Sequence, residues 1–328
     1  MKPIIQIGLL TFVSSIFIFS RCKSYNTLNV LGEVIHPVDN PFSKEKADLG
    51  RKLFFDKRLS RDSTISCASC HIPQYAFTDR KMFSNGVGGG QTERNASTLL
   101  NSAYLKTVMF DAHLQSLELQ VIVPIQEHVE MDMNMVDLIR RLQLIPEYQN
   151  AAKSIFNREF DAFVLTRSIS AFERTLISTN SRFDQFYYTN NSSVLTKDEK
   201  EGWKIFTDKL YCTKCHPAPY FTNYTAENNG LYYEYGKDQG RFRIHGDTND
   251  IGRFKVPTLR NIELTYPYMH DGSIPTIEEV IKHYAKGGKG HYNQSDIIQP
   301  FELSDKEIKQ LKAFLFSLTD TSYMIDFH

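Results

Sequence analysis

Apolar positions recur along this chain mostly at helical spacing. Ser43 stands before a run in which Leu49, Leu53 and Phe54 share one face, which predicts a capped helix reaching Lys57. The stretch from Met135 to Phe156 has the same periodicity and is divided by Pro146 into two shorter helices. Ala162 to Ile177 predicts another, with Phe163, Ile169 and Phe172 for burial. Three later starts carry the capping-box pattern: Thr196 with Glu199, Thr276 with Glu279, and Ser304 with Glu307. The last opens a helix whose Ile308, Leu311, Phe314, Leu315 and Leu318 face inward. Strand alternation is weak everywhere, so the pattern predicts a mainly α fold with long loops.

The N-terminus breaks this pattern. Lys2 precedes an apolar stretch from Ile4 to Phe19, long enough for a signal peptide and short for a spanning helix. Cys22 follows at once, which predicts export to the periplasm with a lipid anchor through Cys22, although Arg21 replaces the small residue usual at such a site. A polar linker then runs from about Lys23 to Asn40. With 328 residues the chain is long enough for two domains. Thirty-eight basic residues balance thirty-eight acidic ones, so no positive field or basic track points to nucleic acid.

The cysteines carry the strongest signal. Apart from Cys22, all fall in two C-x-x-C pairs, each followed by histidine: Cys67-Ala68-Ser69-Cys70-His71 and Cys212-Thr213-Lys214-Cys215-His216. In an exported chain this is the signature of covalent c-type haem. Two thiols add to the two vinyl groups of one porphyrin, and the next histidine reaches the iron. A four-cysteine zinc site would keep its pairs within one short ribbon, and a thioredoxin-like pair needs a βαβ setting that neither copy has. The motifs divide the chain into two haem domains, 41–188 and 189–328, cut in the polar stretch 190–193 or, as second choice, near 180.

Beyond the motifs, the sequence resembles the di-haem cytochrome c peroxidase and MauG family over nearly everything after residue 40. The resemblance is carried by Arg94-Asn95-Ala96-Ser97-Thr98, Phe110-Asp111, Pro124 with Glu130-Met131, Val256-Pro257-Thr258-Leu259-Arg260-Asn261 and Tyr268-Met269-His270-Asp271-Gly272-Ser273. It implies two cytochrome c-like haem domains packed against each other. The first haem, on His71, is then the peroxide-reactive one and the second, on His216, passes electrons. Glu130 matches the family's distal acid/base glutamate. Gln126, read as one helical turn earlier, is placed to order a distal water. The resemblance also implies a calcium ion between the domains, held by the Asn95 side chain and the carbonyls of Thr265 and Pro267.

Three departures from the family matter. Where bacterial peroxidases carry a histidine that blocks the first haem, this chain has Val87, so that haem is expected to be open without reductive activation. Where they carry a methionine ligand on the second haem, it has Tyr284, on the face shared by Ile277, Val280 and Ile281. Tyr284 is therefore the expected sixth ligand, as in MauG, with Met269 as its rival. Where a tryptophan usually lies between the haems it has Phe110, and its one tryptophan, Trp203, reads as core. His113 replaces a usual arginine. The leading functional reading is a peroxidase reducing hydrogen peroxide with electrons from a small cytochrome c or cupredoxin. The alternatives are a MauG-like enzyme that spends peroxide's oxidising power on residues of a partner protein, and a non-catalytic electron carrier. A homodimer is compatible with each.

Overall fold

The computed structural model describes residues 30 to 327; the apolar leader and Cys22 lie outside them. The chain runs α1 (Lys44–Phe54), α2 (Cys67–Cys70), α3 (Leu117–Gln120), α4 (Ile122–Gln126), α5 (Met135–Gln143), α6 (Pro146–Phe156), α7 (Ala162–Glu173), α8 (Arg182–Thr189), α9 (Lys197–Lys204), α10 (Phe242–His245), α11 (Ile277–Ala285) and α12 (Asp305–Ser317). Among the described residues the only sheet pairs Ala226–Glu227 with Phe254–Lys255.

Local chemistry sets the helix starts. Ser43 caps α1 through the Lys46 N–H, and Pro146 sits in the first turn of α6. Thr196 and Ser304 make full capping boxes with Glu199 and Glu307. At α11 Thr276 accepts the Glu279 N–H, but the Glu279 carboxylate takes the Thr276 hydroxyl instead of returning to the backbone. A further box, Ser181 with Asp184, opens α8. Helix ends are shorter than the apolar periodicity suggests: α1 stops at Phe54 and α7 at Glu173, each followed by tighter turns.

Two apolar cores form. The first gathers Leu53, Phe54, Phe77, Leu138, Phe160, Ile169 and Leu176, and takes back Tyr323 from the C-terminal segment. The second gathers Phe183, Phe206, Phe221, Ile281, Leu311 and Phe314. Trp203 packs in this second core between Phe183 and Phe314, at centroid distances of 4.9 and 5.1 Å. The changeover between the cores falls between Leu176 and Phe183.

The cores repeat one plan. In the first, α1 crosses α7 at Gly50, where a Cβ would come within 1.8 Å of the Ser168 carbonyl oxygen. In the second, α9 crosses α12 at Gly202, where a Cβ would come within 2.0 Å of the Gln310 carbonyl oxygen. The sequences Gly50-Arg51-Lys52-Leu53-Phe54 and Gly202-Trp203-Lys204-Ile205-Phe206 make the repeat legible once the crossings are seen. Each crossing feeds the chain toward its C-x-x-C-H segment.

Candidate active site

At the first motif, Ser66 caps α2, and the Cys70 residue follows Cys67 at i, i+3 on the same turn. The His71 N–H closes that turn on the Cys67 carbonyl at 2.9 Å. Its ring Nδ1 lies 2.9 Å from the Phe77 carbonyl oxygen. A carbonyl only accepts, so Nδ1 carries the proton and Nε2 keeps its lone pair for a metal. The second motif repeats this. The His216 N–H bonds the Cys212 carbonyl at 2.9 Å, and its Nδ1 donates to the Phe221 carbonyl at 3.0 Å. Burial pushes both imidazoles down, His216 to about 4, so both rings are neutral at neutral pH.

Further along, Thr98 donates to the Ala76 carbonyl at 2.6 Å and Thr258 to the Tyr220 carbonyl at 2.8 Å. Asn101 and Asn261, three residues after each threonine, both take left-handed backbone (φ 61° and 60°). Both then meet at Ser178: Asn101 Nδ2 reaches its carbonyl at 2.9 Å and Asn261 Nδ2 its hydroxyl at 2.8 Å. The proximal sides of the two sites are thus built alike and tied together through one serine.

The opposite sides differ. Above the first motif, the loop at 86–90 lies against 129–130: the Val87 N–H donates to the Glu130 carbonyl at 2.8 Å, and a Cβ on Gly86 would come within 1.9 Å of the Val129 carbonyl. Val87 is buried there and offers no ligand atom. Burial, reinforced by Glu127, pushes the Glu130 carboxyl up to about 7, and its charge is felt by both Cys67 and Cys70. Gln126 is elsewhere. It is exposed at the end of α4, and the chain turns before Glu130, so the two share no helix face.

At the second motif, α11 brings Tyr284 to the side where it interacts with both Cys212 and Cys215. Burial raises its hydroxyl, opposed by the Asn229 amide, which stands 3.4 Å away. The same amide lies 3.3 Å from the Met269 sulfur. Both candidate ligands therefore converge on one point. Nothing in the sequence singles out Asn229.

Between the regions, the Lys255 N–H donates to the Phe110 carbonyl at 2.7 Å. Burial pushes the Lys255 ammonium down to about 8, and no carboxylate pairs with it among the described residues. Arg94 spans the regions, bonding Asp111 at 2.7 Å and Asp238 at 2.6 Å. The Asn95 N–H meets the His270 carbonyl at 2.8 Å and its amide the Lys81 carbonyl at 2.6 Å. Arg80 reaches the Leu264 carbonyl at 3.0 Å, which brings the Asn95 strand of chain beside the loop holding Thr265 and Pro267. His113 is half-buried with an unpartnered Nδ1.

Known proteins match this arrangement. A family model described as di-haem cytochrome c peroxidase covers residues 44–192. The methylamine utilization protein MauG of Methylorubrum extorquens is 36% identical over 87% of this chain and 81% of its own length. The chain belongs to the di-haem cytochrome c peroxidase and MauG family. Cytochrome c551 peroxidase of Nitrosomonas europaea is 33% identical over 88% of this chain and 84% of its own. The solved structure of a MauG-like protein associated with microbial copper homeostasis superposes with a TM-score of 0.85 at 33% identity, over 92% of this chain and 96% of that one. The two cores are accordingly the two cytochrome c-like domains of the family.

Two c-type haems are the cofactors of this family, and the residues present fit them. Cys67 packs against the first core and Cys212 against the second, so the four thiols do not gather round one zinc ion. Burial raises the thiols, Cys70 to about 11 and Cys212 to about 12, which is the reverse of a reactive dithiol. Each pair has beside it a histidine whose Nδ1 donates to a backbone carbonyl, which leaves Nε2 as the ring nitrogen able to ligate iron. Lys255, a buried cation without an acidic partner, suits a haem propionate.

Proposed function

We propose that this chain is a peroxidase that reduces hydrogen peroxide to water at the His71 haem, with electrons delivered through the His216 haem from a small cytochrome c or cupredoxin. The observation that carries the reading is the Glu130 carboxyl, pushed up to about 7 beside Val87, a side chain with no donor atom for iron. Haem iron, when bound to His71, supplies the electrons that cleave the O–O bond. Glu130 takes the proton from one peroxide oxygen and returns it to the other, so that the departing oxygen leaves as water. One peroxide consumes two electrons and two protons and gives two waters. A carboxyl poised near neutral pH is balanced between accepting and donating that proton, whereas one at its ordinary value is a weaker base for the first half of the transfer. The Phe77 and Phe221 carbonyls hold the two imidazole rings in one orientation while the iron changes charge.

Tyr284, read as the sixth ligand of the second haem, blocks that iron from peroxide and confines it to electron transfer. This ligand and Val87 also support a second reading, a MauG-like enzyme that oxidises residues of a partner protein with the same peroxide chemistry. Phe110 speaks for the first reading, because phenylalanine is far harder to oxidise than a tryptophan relay. Calcium held by the Asn95 side chain and the Thr265 and Pro267 carbonyls belongs to the same proposal, since carbonyl and amide oxygens suit a hard cation. So does a periplasmic location, which the leader sequence supports. Steady-state turnover of peroxide with reduced small cytochrome c tests the assignment. Sustained oxidation of the cytochrome at two equivalents per peroxide supports a peroxidase. Turnover no faster than the haem-free background, in a protein that holds both haems, overturns it.

A further inference from the structure

Asn229 lies in none of the motifs, yet its side chain is aimed at the closed face of the second haem site. The turn that carries it is locked from both sides. Asn228 is fully buried; its Oδ1 accepts the Gly230 N–H and the Tyr235 hydroxyl, each at 2.9 Å, and its Nδ2 donates to Asn293 Oδ1 at 2.9 Å. Gly230 has φ of +66°, a left-handed backbone that favours glycine, and the Gln294 side chain fills the space where a Cβ would stand. The Asn229 carbonyl accepts from His283 Nε2 at 3.1 Å, the residue just before Tyr284 on α11. Turn and helix are thereby pinned to each other at the ligand position.

The orientation of the Asn229 amide follows from its neighbours. The Leu231 backbone N–H lies 3.2 Å from Oδ1 and can only donate, so the oxygen is fixed on that side. The NH2 group must then face the other way, toward the Tyr284 oxygen at 3.4 Å and the Met269 sulfur at 3.3 Å. Met269 holds its sulfur there from a left-handed backbone, φ 78°, which costs a non-glycine residue strain. Two amide protons meet two acceptors, and those acceptors are the two side chains able to cap the iron.

We propose that Asn229 is a positioning residue that tunes the second haem by donating a hydrogen bond to the Tyr284 oxygen. The inference rests on Tyr284 being the axial ligand. A donor on a phenolate oxygen withdraws electron density from it, weakens its preference for oxidised iron and so raises the reduction potential. The effect expected from one hydrogen bond to a charged oxygen, about 1.5 kcal/mol, is roughly tenfold in the ratio of reduced to oxidised haem, or about 59 mV for one electron.

The test uses the full-length protein with both haems, in a Met269→Leu background so that the thioether cannot replace the phenolate. Asn229→Leu removes the donor and keeps the volume. The reduction potential of the second haem should fall by an amount equal to that tenfold shift, and Asn229→Gln should restore part of it. An unchanged or raised potential in Asn229→Leu overturns the inference. A second measurement needs no substitution at position 229: in the native protein the phenolate vibrations seen by resonance Raman should shift in D2O, because an exchangeable amide proton touches the ligand oxygen. No shift overturns it as well. Tyr284→Phe separates the two levels. If it leaves the low-spin spectrum unchanged, the ligand assignment itself has failed; if it alters the spectrum while the potential ignores Asn229→Leu, only the role of Asn229 has.

Discussion

The two haem regions share a proximal side and differ on the other. Each has a glycine at its main helix crossing, a cysteine pair on one turn, a histidine with Nδ1 on a backbone carbonyl and a threonine-to-asparagine turn behind it. Holding and orienting a haem is therefore one solved problem used twice. The opposite faces are where the copies part. One presents Val87 and a half-neutral carboxyl, Glu130; the other presents Tyr284, Met269 and an amide that touches both. On the proposed reading, a side chain without a donor atom would leave the first iron accessible, and the Tyr284 phenol would close the second. The difference between a reactive haem and a relay haem would then come down to a few residues that the shared scaffold does not constrain.

The comparison breaks hardest at Glu130. Glu130→Gln keeps the shape and removes the titrating group, so kcat/KM for peroxide should drop by about 10²–10⁴-fold with haem content unchanged. The pH profile sharpens the point. Glu130 must be ionised to take the first proton, and its value of about 7 means the ionised fraction falls as pH drops below 7. Wild-type kcat/KM should therefore decline on the acid side of neutrality, and the Gln variant should lose that limb. A variant with the wild-type acid limb would assign the step to another group.

The second prediction concerns stability. Each region carries a buried arginine paired two-pronged with a carboxylate: Arg174 with Glu118 at 2.6 and 3.0 Å, and Arg260 with Asp184 at 2.8 Å twice. Arg260 also donates to the Pro219 carbonyl at 2.8 Å, so it holds the turn that follows His216. Arg260→Met leaves Asp184, with no exposed side chain, without its cation and held, among the described residues, only by the Ser181 N–H and hydroxyl, both on Oδ2. That should cost about 3–5 kcal/mol in denaturant unfolding followed at the second haem. The first region should lose less in Arg174→Met, because Asn40 and Ser170 still donate to one Glu118 oxygen and Ser116 to the other, whereas Ser181 reaches only one oxygen of Asp184. Equal losses would mean that the pairs do not act through their own haem regions.

How much of this was legible in the sequence depends on distance along the chain. The haem motifs are short and local, and so are the helix caps at Ser43, Thr196 and Ser304, which sequence alone identifies. The matching of Asp184 to Arg260, 76 residues apart, has no local signature. Neither has the raised carboxyl of Glu130, whose burial depends on the packing of residues 86–90 against 129–130. Gln126 illustrates the same limit from the other side. Its spacing from Glu130 is helical on paper, but α4 ends there and the intervening turn separates them. Asn229 was invisible because its meaning lies in which three elements converge on it.

The smallest effect separates the regions by their unpaired buried charges. Asp184 in the second region is paired, whereas Glu173 in the first is buried with Oε2 lacking a hydrogen-bond partner. Burial pushes Glu173 up to about 8, with Arg174 pulling it down and Glu118 pushing it up, and its charge bears on Cys67. A carboxyl raised in the folded state holds a proton there that the unfolded chain has given up. Stability contributed by that proton is intact below about pH 4.5 and is lost as pH rises toward 8, at about 1.4 kcal/mol per pH unit. Glu173→Gln cannot titrate. Its buried amide adds a constant offset of about 1–3 kcal/mol for an unmatched donor, independent of pH. The slope, not the offset, is the signature: the variant should gain on wild type by about 3 kcal/mol between pH 4.5 and 7 in the first region's unfolding. Parallel pH curves for the two proteins would show that Glu173 titrates in the folded protein as it does in the unfolded chain.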